Sequence, residues 1–232
     1  MIQFDENELP DAIINAEMVR TANAVLRQLY KMKVDSIKFD DTMGFPQSGM
    51  TRLYLQAHLG RLLMFLEGGV AEYRAARPLV AISAARSVYE SVASIHDFCT
   101  KFNAMLDRSD FGGAEQFLTK NSLASRVPEF LEEDKSNEAK NILTKIASLE
   151  KLARGFEESY NKMSEYAHPN ASGSVVHYLN VDGDVATFDD RGNLPTQPLT
   201  YLILASVHAA WVMAGMLEVE KRLISLGDGK TR

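Results

Sequence analysis

The stretch EESYNKMSEYAHPN, residues 157–170, decides the fold. Tyr160, Ser164 and His168 recur every fourth residue, so a helix places them on one face, with Asn161 and Glu165 beside them. Pro169 disfavours helical geometry at His168 and removes a backbone donor, so the helix stops there. Beyond Gly173 the apolar period drops from helical to two. Val175 to Val181 and Val185 to Phe188 flank Asp182-Gly183-Asp184, the pattern of a β-hairpin inserted at about 174–190.

Working back from that helix, a helical pattern runs from about Ser136 through Ile142, Ile146, Leu149, Leu152 and Phe156, with a break near Gly155. Earlier still, Pro78 opens a helix to about Leu106, with Leu79, Ile82, Val88, Val92, Ile95, Phe98 and Phe102 inward. Gly49 to Tyr73 carries Leu53, Leu55, Leu59, Leu62, Leu63, Phe65 and Leu66. Pro10 to Lys33 carries Ile13, Ile14, Met18, Ala22, Val25, Leu26 and Leu29. A short helix is expected over Ala114 to Leu123, and loops over 35–48 and 191–198. After the hairpin one last helix runs to about Leu226, and the tail 227–232 frays. The expectation is an all-α helical bundle with a small β-hairpin before its last helix, one domain over residues 1–232.

The stretch from Leu199 to Leu217 contains no Asp, Glu, Lys or Arg, long enough to raise the question of a membrane span. Thr200, Tyr201, Ser206, His208 and four alanines interrupt its apolarity, and Glu218, Glu220, Lys221 and Arg222 follow. Burial in a bundle or at a dimer interface is the expectation, not a membrane.

Composition narrows the function. The chain has 232 residues, 25 basic against 31 acidic, for a net charge of −6, which offers no bulk steering toward nucleic acid. Its single cysteine, Cys99, excludes an internal disulfide and a cysteine-built zinc site. The acidic first eight residues lack the basic flank and apolar run of a secretory signal, so a cytoplasmic protein is expected.

Some motifs are chance matches. Gly229-Lys230-Thr231 resembles the end of a phosphate-binding loop, but Ile224 stands where its first glycine belongs. Asp182-Gly183-Asp184 opens like a calcium loop, but Thr187 replaces the sharp-turn glycine. Glu165 and His168 have the spacing of a di-iron ligand pair. No other histidine (His58, His96, His177, His208) has a Glu three residues before it, so neither a metal nor a cofactor is expected. What remains is a polar face: Arg86 and Glu90 on one helix, and Tyr160, Ser164, Glu165 and His168 on another, with Asn170 just beyond. If these helices pack, the groups meet in one pocket; the alternative is an internal network, with Arg86 on Glu90 or Glu165 and His168 closing its own helix.

The run Tyr160-x-x-x-Ser164-Glu165-Tyr166-Ala167-His168-Pro169-Asn170, preceded by Ala139-Lys140-Asn141-Ile142-Leu143-Thr144, resembles a bacterial family of helical proteins. That family also carries an Arg and a Glu on an earlier helix, a pattern Arg86-Ser87-Val88-Tyr89-Glu90 fits. More distantly, the arrangement is similar to the HEPN superfamily, helical bundles that are often homodimers. Many of them act as metal-independent ribonucleases in toxin–antitoxin and phage-defence systems. The resemblance implies His168 as general acid–base, with an arginine before it across four to six intervening residues. Asn161, Lys162 and Met163 hold the positions in range. Lys162 keeps the charge but lacks the planar fork of an arginine, and lies about 120° around the helix from His168.

Three expectations follow. The first is a HEPN-like bundle whose pocket, lined by Arg86, Glu90, Tyr160, Ser164, Glu165 and Asn170, binds a small polar or anionic ligand or serves structure alone. The second is a divergent ribonuclease acting on RNA through His168 with Lys162 or Arg86. A third, a protein-interaction module, would use the apolar last helix.

Overall fold

The computed structural model describes residues 1–8, 12–37, 48–125, 127–131, 138, 140–175, 178–188 and 197–228. Its order is α1 (Ala16–Met32), α2 (Ser48–Arg74), α3 (Pro78–Asp107), α4 (Phe111–Ser122), α5 (Pro128–Leu131), α6 (Ile142–Glu150) and α7 (Phe156–Ala167). A short π-turn (Ala171–Val175), strands β1 (Leu179–Asp182) and β2 (Val185–Phe188), then α8 (Gln197–His208) and α9 (Ala210–Asp228) complete the described chain. The protein is an all-α bundle with a small antiparallel hairpin ahead of its last helices.

α3 is the central helix. Its thirty residues pack against α2, α4, α6, α7, α8 and α9, so most of its circumference is buried and its stripe is broad. Phe98 stacks on Phe102 at 5.2 Å between ring centres, and Tyr89 stacks on Phe156 of α7 at 4.4 Å. Burying such side chains contributes about 1.5–3 kcal/mol each and is what holds α3 and α7 together. One hydrophobic cluster runs through all the long helices.

Helix ends follow local capping. α1 starts at Ala16, later than apolar spacing alone suggests, because the Asn15 side chain accepts from Met18 N at 2.9 Å. Ile13 is therefore outside the helix and exposed, while Ile14 still reaches the core; Pro10 lies outside the described residues. On α1, Asn23 is buried because it pins the N-terminal segment. Phe4 N donates to Asn23 Oδ1 and Asn23 Nδ2 donates to Phe4 O, each at 2.9 Å. Two expected stripe residues, Leu53 and Leu152, are exposed.

The long pattern ending at His168 is two helices. Gly155 adopts φ 88°, the left-handed region, and turns the chain between α6 and α7. Glu150 then caps the new helix, its carboxylate accepting from Gly155 N at 2.9 Å and Glu157 N at 2.8 Å. α7 stops where Pro169 requires it, with His168 already extended at φ −86°, ψ 146°. The hairpin pairs Leu179 with Phe188 and Asp182 with Val185 around Gly183-Asp184. Gly183 has φ 58°, as the first central place of such a two-residue turn demands. Residues 174–175, expected in the hairpin, belong to the π-turn; Val176 and His177 lie outside the described residues. So do most of the expected loop segments and Gly229-Lys230-Thr231.

The last helix is interrupted at Ala209, which leaves α8 and α9 as separate pieces. By length and composition 197–226 is apolar enough to cross a membrane. Here Leu199, Leu202, Ile203 and Ala205 are buried, and α8 packs on α1, α2 and α3. On α9, Leu217 and Ile224 are exposed on one face and Trp211 on another. Trp211 meets His96 of α3 edge-on at 6.2 Å.

Candidate functional site

Along α3, Arg86, Glu90, Ser94, Asp97 and Lys101 follow one another at spacings of three and four. They form a polar stripe on a helix otherwise committed to the core. α6 and α7 pack on α3, and from α7 the Tyr160 hydroxyl enters this stripe. Arg86 Nη2 donates to Tyr160 OH at 3.2 Å, and Tyr160 OH donates to Glu90 Oε1 at 3.1 Å. Arg86 and Glu90 also form an i,i+4 ion pair at 3.4 Å, skewed enough that the buried Arg86 Nε makes no hydrogen bond. With Tyr160 buried and its hydroxyl both accepting and donating, the guanidinium is held in one orientation.

Arg86 and Glu90 form part of the wall of a polar cleft of about 400 Å³. His58 and Arg61 come from α2, Ser91 and Ser94 from α3, and Lys140 and Ile142 from the start of α6. Ser91 Oγ donates to Ser87 O at 2.8 Å. The Arg61 guanidinium lies 4.5 Å over the Phe65 ring, and no carboxylate among the described residues pairs with Arg61 or Lys140. Lys145, one helical turn further along α6, is half-buried. Burial pushes its ammonium below the usual lysine range; Lys101 and Lys140 press the same way and Asp97 opposes them. Asp97, itself buried, is paired with Lys101 at 2.5 Å.

His58 sits against Tyr54, ring centres 4.4 Å apart. Burial first, and then the charges of Lys145 and Arg61, push its imidazole down to about 4. It is neutral at pH 7, with one nitrogen to donate and one to accept.

The remaining expected residues do not join this cleft. Lys162, Ser164, Glu165 and His168 line a second, more open depression with Glu150, Glu157, Glu158 and Asn161. Lys162 Nζ is held by Glu158 at 2.7 Å. Ser164 Oγ donates to Tyr160 O, Asn170 Nδ2 donates to Glu165 Oε2 at 2.8 Å, and Gly173 N donates to Asn170 Oδ1 at 3.0 Å. Gly173 sits so tightly in this closure that a Cβ there would lie 2.0 Å from His168 O. The expected pocket is thus two: Arg86, Glu90 and Tyr160 belong to a basic cleft, and His168 to a wall carrying four carboxylates.

His58, Arg61, Lys140 and Lys145 were not singled out by the sequence as site residues. His58 and Arg61 lie three apart on one helical face, the one local signal for them. Comparison with protein-family models, with curated proteins and with solved structures finds no match for this chain.

Proposed function

We propose that this protein is an anion-binding helical bundle whose ligand enters the cleft between α2, α3 and the start of α6. One observation carries the reading. In a chain of net charge −6, Arg61, Arg86 and Lys140 converge from three segments on one cleft, opposed there among the described residues by Glu90. Binding to a fixed cationic cleft adds stability to the folded state. At about a hundred times Kd the gain is about 2.7 kcal/mol, a Tm rise of about 5–10 °C for a chain of this size. Thermal denaturation against increasing phosphate, at constant ionic strength, tests it. The wild type gains stability, while Arg61→Gln combined with Lys140→Gln gains none and keeps its unliganded Tm. An unchanged wild-type Tm across the series would overturn the reading.

RNA cleavage by His168 with Lys162 finds little support in the geometry, because a phosphate approaching His168 meets Glu150, Glu157, Glu158 and Glu165. A HEPN-like ancestry remains a resemblance of sequence. Self-association through α9 is a second reading, and the exposed pair Leu217 and Ile224, seven residues apart on one face of that helix, favours it. Gel filtration of Leu217→Glu beside wild type separates a dimer built on that face from a monomer.

A further inference from the structure

Resting on the anion-binding reading of this cleft, we infer that its ligand is a small hydroxylated phosphate monoester. Its dianionic phosphoryl group lies among Arg61, Arg86 and Lys140, and its hydroxyls face Glu90 and His58.

Charge is the first ground. Among the described residues Arg61, Arg86 and Lys140 bring three positive charges to the lining and Glu90 brings one negative, an excess of two. The next cation along, Lys145, is not in the lining: it lies in the fields of Asp97 and Lys101 on the α3 stripe, and its charge still reaches His58. A carboxylate or a phosphodiester carries one charge and leaves the other cation unanswered. A phosphate monoester carries close to two at neutral pH.

Donor geometry is the second. A single guanidinium fork satisfies both oxygens of a planar carboxylate. This cleft instead presents three cationic groups from three separate segments, with the Ser94 hydroxyl on the α3 wall. Three terminal oxygens in a tetrahedral array use such a set; two in a plane do not. Arg86 is fixed for the purpose by Tyr160, so its orientation is set before the ligand arrives.

The rest of the lining describes the rest of the ligand. Apart from Ile142, the named wall residues are polar. Glu90 receives the Tyr160 proton on Oε1, leaving Oε2 to accept from a ligand hydroxyl. Neutral His58 offers a second acceptor among cations that are donors only. A cleft of about 400 Å³ holds a compact phosphorylated polyol, the sugar-phosphate class.

Isothermal titration of the full chain with glycerol 3-phosphate, dimethyl phosphate, malonate and acetate tests this. Glycerol 3-phosphate should bind at least about tenfold more tightly than the other three, the loss expected when one charge-assisted contact goes unmade. Arg61→Gln and Lys140→Gln should each weaken it by a similar factor with the unliganded Tm unchanged. Malonate binding as tightly as glycerol 3-phosphate would overturn the phosphate assignment and leave the anion-binding reading standing. Dimethyl phosphate binding as tightly would overturn it in favour of a nucleic-acid backbone. No heat with any of the four, and no Tm rise with phosphate, would remove both readings together.

Discussion

Acidification should unfold this protein through its partly buried histidines, and His208 is where the effect can be isolated. At the end of α8, its ring meets Phe156 at 5.1 Å and Tyr89 at 5.9 Å, and its Nδ1 is buried without a hydrogen bond. Burial pushes the imidazole from 6.5 down to about 4, with the charge of Glu150 opposing weakly. The native state therefore binds this proton less readily than the unfolded chain. As pH falls below about 6.5 the unfolded state takes up protons first, and stability drains until the native value near 4 is passed. The cost to the fold is about 3 kcal/mol at the bottom of that window. His58, lowered to the same value, loses stability over the same range. Together they approach the whole stability of an ordinary domain, about 5–15 kcal/mol. Urea denaturation of wild type and His208→Phe from pH 7.5 to 4.5 measures it; phenylalanine suits a site walled by Tyr89 and Phe156. Near pH 7.5 the two should agree within about 1 kcal/mol, and the variant should retain up to about 3 kcal/mol more at the acid end. Parallel loss of stability in both proteins would refute the argument.

Two further outcomes are expected. Tyr160→Phe removes the hydroxyl shared by Arg86 and Glu90 and should cost about 2 kcal/mol in urea denaturation, whereas Lys162→Ala, at a solvent-exposed pair, should be indistinguishable from wild type. Equal effects would mean that the Tyr160 bridge contributes nothing special. Asn23→Ala should cost about 2 kcal/mol and speed proteolysis near Phe4, since both backbone groups of Phe4 lose the side chain that bonds them; unchanged cleavage would count against the pin.

Where helices lie was legible because the apolar spacing is local: Leu59, Leu62, Leu63 and Leu66 announce α2, and Ile82 to Phe102 announce α3. Pro78 and Pro169 marked ends for reasons of backbone chemistry that act whatever surrounds them. The start of α1 was harder, because Ile13 continues the apolar spacing while the Asn15 cap sets the boundary. The contact of Arg86 and Glu90 with Tyr160 was readable as a conditional, true if the two helices packed. His168 left that group because its extended backbone ends α7 on the side of Glu150 and Glu157. Arg61 and Lys140 were invisible as a pair. Nothing in a sequence says that residues on separate helices, each ordinary on a solvated face, will share one cleft.

The indole of Trp211 is the only one in the chain, placed edge-on to His96 where α9 crosses α3. Emission excited at long wavelength therefore comes from a single address on the molecule. A neutral imidazole beside it is a weak quencher and a protonated one a strong quencher, and burial lowers the His96 proton affinity. Light from this one ring thus reports on the seam between α3 and the first turn of α9.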